Sequence, residues 1–102
     1  PELTAVVCYN DFHAMGAVLG AREVGRNCPK DISITGFDDL SSEYDFNPAI
    51  TSISFDRNAM GRMAVDWVIE RRGTKSPGNN GKQRLMINTD IAEHGSVSSA
   101  PV

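Results

Sequence analysis

Two pairs of short polar residues stand where apolar runs stop. TAVVCY (4–9) is followed at once by Asn10 and Asp11, and ISITGF (32–37) by Asp38 and Asp39. Four kinds of chemistry suit residues of this type: divalent metal binding, acid–base catalysis, hydrogen bonding to a ligand, and simple turn formation. A metal site of the phosphoacceptor kind would gather Asp11, Asp38 and Asp39, but it also needs a reactive aspartate on a third strand and a lysine at another strand end. No strand-end lysine is evident. His13 has no second ligand four residues on, and His94 stands near the tail, so neither has zinc spacing and both read as surface or packing histidines. There is no nucleophile motif, P-loop or GxGxxG. Gly16 and Gly20 fall inside a helical pattern and read as sites of close packing. Ligand hydrogen bonding remains. Asn offers a donor and an acceptor, and an ionised Asp offers acceptors only, a pair that suits a neutral polyhydroxy or amide ligand. The competing reading is that Asn10 caps a helix while Asp38 and Asp39 shape a turn.

The elements that would position these residues follow from the pattern. The run 4–9 is continuously apolar, as in a parallel strand covered on both faces. Asn10 or Asp11 caps a helix beginning near Phe12 and ending at Gly25 in the C′ role. Phe12, Met15 and Leu19 fall on one face and Ala14, Val18 and Ala21 on another, so the helix has two packing partners. The next strand is 32–37, which makes a β-α-β unit with parallel strands and a right-handed crossover. Ligands of parallel α/β sheets bind beyond the carboxyl ends of the strands, where Asn10 and Asp38 lie. A polar loop carrying Tyr44 and Phe46 ends at Pro48. ITSISF (50–55) alternates as a strand does. Asp56 caps a helix in which Met60, Met63, Ala64 and Trp67 share a stripe, ending at Arg71, Arg72 and Gly73. GTKSPGNNGKQ is the flexible segment, RLMINT (84–89) a strand, and DIAEHGSVSSAPV a last strand or tail.

Composition narrows the class. The chain has 102 residues and a net charge of −3, a length for one small domain or part of a larger one and the wrong sign for gripping nucleic acid or an anionic membrane. Cys8 and Cys28 have no metal or redox spacing and read as reduced thiols of a cytoplasmic protein. No apolar stretch approaches the roughly 18 residues of a membrane span, so no membrane role is expected. The chain starts at Pro1 rather than Met, which suggests a processed, tagged or truncated product.

Taken together, the ordered set of motifs resembles the C-terminal part of the effector-binding domain of lactose/galactose-repressor family transcription regulators. The motifs are the strand followed by Asn10-Asp11, the Ala14-x-Gly16 helix, Pro29-x-Asp31, Gly36-Phe37-Asp38-Asp39, Pro48-x-x-Thr51, and Asp56 with Gly61 and Ala64. They cover about residues 1–73. Each is weak alone; their order and spacing carry the likeness, and the double Asp and Pro-x-x-Thr favour the regulators over periplasmic sugar receptors of the same fold.

The resemblance implies an α/β fold, a parallel sheet of a periplasmic-binding-protein-like effector domain present as its C-terminal fragment. Residues 1–55 and 84–102 would form one subdomain, 56–73 a helix of the other, and 74–83 a flexible loop. It implies that Asn10 and Asp38 hydrogen-bond a small effector, commonly a sugar or purine, that Asp39 shapes the loop, and that Phe55 takes the place of a polar ligand contact or hinge residue. It implies a homodimer, with Met15, Val18, Leu19, Tyr44 and Phe46 at the interface. No cofactor, metal or enzymatic activity is implied. DNA would be bound only through an N-terminal domain outside this chain, so the fragment alone should neither bind DNA nor form a complete cleft. The rival readings are a periplasmic solute receptor and a small phosphotransfer domain.

Overall fold

The computed structural model describes residues 3–72 and 84–101. The expected flexible segment 74–83 and the helix-ending Gly73 lie outside the described residues. Two compact units divide the chain, Pro1–Ser54 with Thr89–Val102, and Phe55–Asn88.

The first unit begins with β1 (Ala5–Val7), α1 (Asp11–Glu23) and β2 (Ser33–Phe37). The Asn10 side chain caps α1 by accepting from the His13 N–H, and Gly25 supplies the positive φ of 76° that ends it, a backbone region that costs glycine little. A 3-10 turn at Ser41–Tyr44 leads to β3 (Thr51–Ser54), and β4 (Asp90–Ala92) completes a sheet of order β1-β2-β3-β4. β1, β2 and β3 are mutually parallel in neighbouring pairs, whereas β4 runs antiparallel to β3. The sheet is therefore mixed, its antiparallel edge being the expected last strand. RLMINT does not form the expected strand: 84–89 is irregular, and pairing begins only at Asp90.

The core forms where α1 lies on the sheet. Ala14, Met15, Val18, Ile32, Ile34 and Ile50 are buried together, with Val6, Cys8, Ala17, Ala21, Cys28 and Phe46 packed around them. Burial of one such large side chain is worth about 1.5–3 kcal/mol. The spacing Asp11, Ala14, Met15, Val18 is a single helical face. Met15 thus belongs to the core, while Phe12 and Leu19 point outward, each about half exposed.

Register assigns the other sheet face. Val7 pairs with Thr35, Thr35 with Thr51, Phe37 with Ile53, and Ile53 with Ile91, so these side chains share the face opposite α1. They line an open, apolar groove of about 290 Å³. Val7 is 85% exposed. The continuous apolar run of β1 is therefore covered on its α1 face but not on both, as its pattern had suggested.

The second unit contains α2 (Arg57–Arg72). The Asp56 carboxylate accepts from the Ala59 N–H at 2.8 Å, as its capping position predicts. Arg71 lies over the Trp67 ring at 4.0 Å. None of the helix is buried: Met60, Val65, Val68 and Ile69 are all exposed.

Candidate functional site

The carboxyl ends of β1 and β2 meet at an opening of about 380 Å³ lined by Tyr9, Asn10, Phe37 and Asp38. The fold thus brings Asn10 and Asp38 to one crevice, between two aromatic rings. Asn10 holds an extended backbone and uses its carbonyl oxygen as the cap, 3.0 Å from the His13 N–H and 2.7 Å from His13 Nδ1. A carbonyl oxygen only accepts, so Nδ1 carries a hydrogen toward it. The Asn10 amide NH₂ is the end left to donate. Tyr9 packs edge-on against the His13 ring, with centroids 5.8 Å apart. Capping and crevice lining are thus two roles of the same asparagine rather than alternatives.

The double-Asp turn is made of two residues with positive φ, 96° at Asp38 and 54° at Asp39. The second lies in the left-handed helical region that Asp tolerates; the first lies beyond it, where a non-glycine residue costs of order 1–3 kcal/mol. Backbone strain at a strand end persists only where contacts impose it. Here the Asp38 N–H continues the ladder to Ile53 O at 3.0 Å, and the Asp39 N–H donates to Ser52 Oγ at 3.0 Å. The Asp39 carboxylate turns to His94, 2.9 Å from Nε2. Asp39 does shape the turn, and His94 is its partner rather than a general surface histidine.

The residue that organises this end of the sheet is Asp11, which the sequence offered only as a possible cap or metal ligand. It is fully buried. Its Oδ2 accepts from the Leu40 and Ser41 N–H groups at 2.6 and 3.2 Å, and its Oδ1 accepts from Ser52 Oγ at 2.7 Å. Gly36 and Ser52 are paired across β2 and β3 and face α1. A Cβ at Gly36 would overlap Asp11 Oδ1 and lie 3.1 Å from Asp11 Cα, so the glycine opens the place that the carboxylate fills. The missed signal was positional: Asp11 lies three, four and seven residues before Ala14, Met15 and Val18, on the face that buries. Two further buried serines were not anticipated. Ser41 Oγ accepts from the Ile50 N–H at 2.8 Å, and Ser96 Oγ from the Thr51 N–H at 2.8 Å. Among the described residues no three metal-ligating side chains gather.

Cys8 and Cys28 are free thiols. Burial pushes both above their ordinary value; for Cys28 a backbone hydrogen bond at Ile34 and the charge of Arg22 pull partly the other way.

The residues expected at a dimer interface divide. Val18 is fully buried in the core and Met15 nearly so, which leaves neither with a side-chain surface for a second copy. Phe46 packs on the same core. Leu19 and Tyr44 are exposed, and Phe12 meets Tyr44 edge-on at 5.4 Å. Phe55 begins the second unit and is half-buried.

The model of the periplasmic binding protein-like domain family matches residues 1–97. The HTH-type transcriptional regulator MalR of Streptomyces coelicolor is 36% identical over 101 residues, which is 98% of this chain and 28% of that regulator. The transcriptional regulator CelR in complex with cellobiose superposes with a TM-score of 0.77 at 26% identity, covering 94% of this chain and 28% of that one. The lac repressor dimer bound to operator and the anti-inducer ONPF superposes with a TM-score of 0.72 at 26% identity, covering 92% of this chain and 32% of that one. The chain thus spans about a third or less of the length of the regulators it matches.

Proposed function

The chain belongs to the periplasmic binding protein-like domain family, and on that premise we propose that it is the effector-sensing and dimerisation portion of a DNA-binding transcriptional regulator of the repressor type. The observation that carries the reading is the crevice itself. An amide donor on Asn10 and a carboxylate on Asp38 stand at adjacent strand ends between Tyr9 and Phe37. Alternating donors and acceptors between aromatic rings suit a neutral sugar, whose hydroxyls do both and whose C–H face is apolar. The cellobiose complex of a similar regulator supports that ligand class.

The parent protein works in the cytoplasm without chemical turnover or cofactor, by population shift: effector favours one arrangement of the cleft, and the preference reaches DNA-binding heads outside this chain with a coupling of about 1–3 kcal/mol. Relatives that are regulators, rather than transport receptors, favour this over periplasmic solute capture. A homodimer would use the exposed Phe12–Tyr44 pair and the exposed Leu19 two turns along α1, with Val18 and Met15 withdrawn from it. The helix after Phe55 would belong to the other subdomain.

The test is a titration of the full-length parent regulator, which supplies the rest of the cleft, with a panel of neutral sugars, followed through backbone amide resonances. Saturable shifts at Asn10 and Asp38 are expected. Replacing Asp38 with Asn removes a charge-assisted hydrogen bond worth about 1.5–3 kcal/mol, so half-saturation should need about ten-fold more sugar. A panel that leaves both residues unmoved, or an Asp38→Asn variant that titrates like the original, overturns the reading.

A further inference from the structure

We propose that Ser52 is a positioning residue for the effector site: its hydroxyl fixes the double-Asp turn, and with it the direction from which Asp38 meets the crevice. The inference rests on reading that crevice as the effector site. Four consecutive main-chain N–H groups at the turn are taken up by the body of the fold. Asp38 N–H donates to Ile53 O at 3.0 Å, Asp39 N–H to Ser52 Oγ at 3.0 Å, and the Leu40 and Ser41 N–H groups to Asp11 Oδ2 at 2.6 and 3.2 Å. The series passes from the backbone of β3 to a side chain of β3, and then to a side chain of α1. Ser52 is the step between the strand and the helix.

The hydroxyl is itself held in one orientation. It has one hydrogen and two lone pairs. The hydrogen goes to Asp11 Oδ1 at 2.7 Å, which leaves the lone pairs to accept the Asp39 N–H. Asp11 is fully buried, and Gly36, the partner of Ser52 across β2 and β3, opens the space in which its carboxylate meets the serine. Ser52 is 2% exposed, so bulk water does not simply replace a hydroxyl lost there. The accepted N–H belongs to the planar peptide unit that joins Asp38 to Asp39, so its direction sets ψ of Asp38 and φ of Asp39. Those two residues have φ of 96° and 54°, and strain of this kind persists only where the surroundings impose it. Without the Ser52 acceptor the peptide plane can turn toward an unstrained backbone, and the Asp38 side chain no longer meets the crevice from one fixed direction. Asp11 keeps its two main-chain donors, so the effect is confined to the Asp38–Asp39 peptide.

The experiment uses the full-length parent regulator, which supplies the rest of the cleft. Without sugar, the Asp39 amide of Ser52→Ala should exchange its hydrogen about two- to ten-fold faster than that of the original protein. The strong HN–Hα cross-peak within Asp39 that a positive φ gives should weaken. The Ile34 amide, bonded to Ser96 O at 2.9 Å, should keep its rate, whereas the loss of a merely structural serine would release both amides together. Ser52→Thr, which retains the hydroxyl, should restore the Asp39 rate and cross-peak. If Ser52→Ala does not fold, Ser52→Cys takes its place, since a thiol keeps the shape but is only a weak donor and acceptor. Cellobiose, lactose and ribose are then titrated into each protein. For a sugar that saturates the Asn10 and Asp38 shifts, half-saturation should need about two- to ten-fold more sugar in Ser52→Ala and return to the original value in Ser52→Thr. An Asp39 amide that exchanges no faster, or that accelerates only together with Ile34, overturns the proposal, and so does an unchanged half-saturation. If the Asp39 changes appear but none of the three sugars binds, or Asp38→Asn binds as well as the original, the effector-site reading falls instead, and Ser52 positions a turn that no sugar uses.

Discussion

Ser52 donates its hydroxyl to Asp11 at 2.7 Å across 41 residues of sequence, and that bond joins the first turn of α1 to the middle of β3. The same hydroxyl receives the Asp39 N–H. Through it, the helix, the central strands and the double-Asp turn share one buried polar network whose side-chain atoms are all satisfied. Such a network is strong when complete and costly when one member is removed.

Asp11→Ala tests that network. The change removes the acceptor of two main-chain N–H groups and one hydroxyl in a buried place. Each orphaned donor costs about 1–3 kcal/mol before any relaxation or water entry. A net loss of about 3–5 kcal/mol is expected, read as a lower urea midpoint with an unchanged slope. Asn10→Ala, one residue earlier, removes only a cap and should cost about 1 kcal/mol. Equal losses for the two variants would remove Asp11 from its organising role.

Much of this fold was legible because local signals agree with it. The apolar runs at 4–9, 32–37 and 50–55 each contain a strand, at Ala5–Val7, Ser33–Phe37 and Thr51–Ser54, and Asn10, Gly25 and Asp56 mark helix ends by side-chain or backbone chemistry that acts within four residues. What was hidden depends on contacts distant in sequence. Asp11 reads as one more helix-start acid until β3 brings Ser52 to it. His94 reads as a tail residue until the turn at Asp39 is placed. RLMINT has strand composition, but pairing depends on where β3 offers an edge, and that edge is met only from Asp90. Met15 and Leu19 are four apart and share a neighbourhood on the helix, yet the core boundary passes between them. Composition cannot place that line.

The glycines give opposite expectations. Gly36→Ala drives a methyl into Asp11, and overpacking of this kind costs about 1–3 kcal/mol. Gly20 lies in the exposed interior of α1 with open space where a Cβ would go. Gly20→Ala should therefore stabilise the chain by about 1 kcal/mol. Thermal melts of the two variants decide the matter: both should shift, in opposite directions. A neutral Gly36→Ala would show that Asp11 has room to move.

The two thiols predict a decline in stability at alkaline pH. Burial raises both above their ordinary value, so the folded chain holds these protons more tightly than the unfolded chain. Stability from this source is fully present below pH 9, the unfolded value, and is lost as pH rises through the higher folded values. Replacing both cysteines with Ala should reduce the slope of stability against pH above pH 9. At pH 8 the folded thiols should also react with iodoacetamide more slowly than the same thiols in urea. A slope unchanged by the double replacement would remove the thiols as its source.

Self-association is expected from two exposed apolar surfaces. On the first unit, Phe12 and Tyr44 meet edge-on, Leu19 lies two turns along α1 from Phe12 on the same face, and all three are about half exposed. On the second, α2 buries no residue, and Val65, Val68 and Ile69 lie open along one side of the helix. Contiguous apolar patches beyond a few hundred Å² usually acquire a partner, and each large side chain that is covered contributes about 1.5–3 kcal/mol. Either surface can therefore support a micromolar dimer if three or four of its side chains are buried. Sedimentation of the chain at micromolar concentration should show a species larger than a monomer. Paired variants separate the two surfaces. Leu19→Glu with Tyr44→Ser removes the first patch, and Val65→Glu with Ile69→Ser removes the second; none of these four side chains is buried, so folding should survive. If the first pair yields monomer and the second does not, the dimer uses the α1 face, as proposed for the parent regulator. If only the second pair yields monomer, association runs through α2 and the proposed interface is wrong. A well-folded monomer before any substitution would show that neither surface needs a partner.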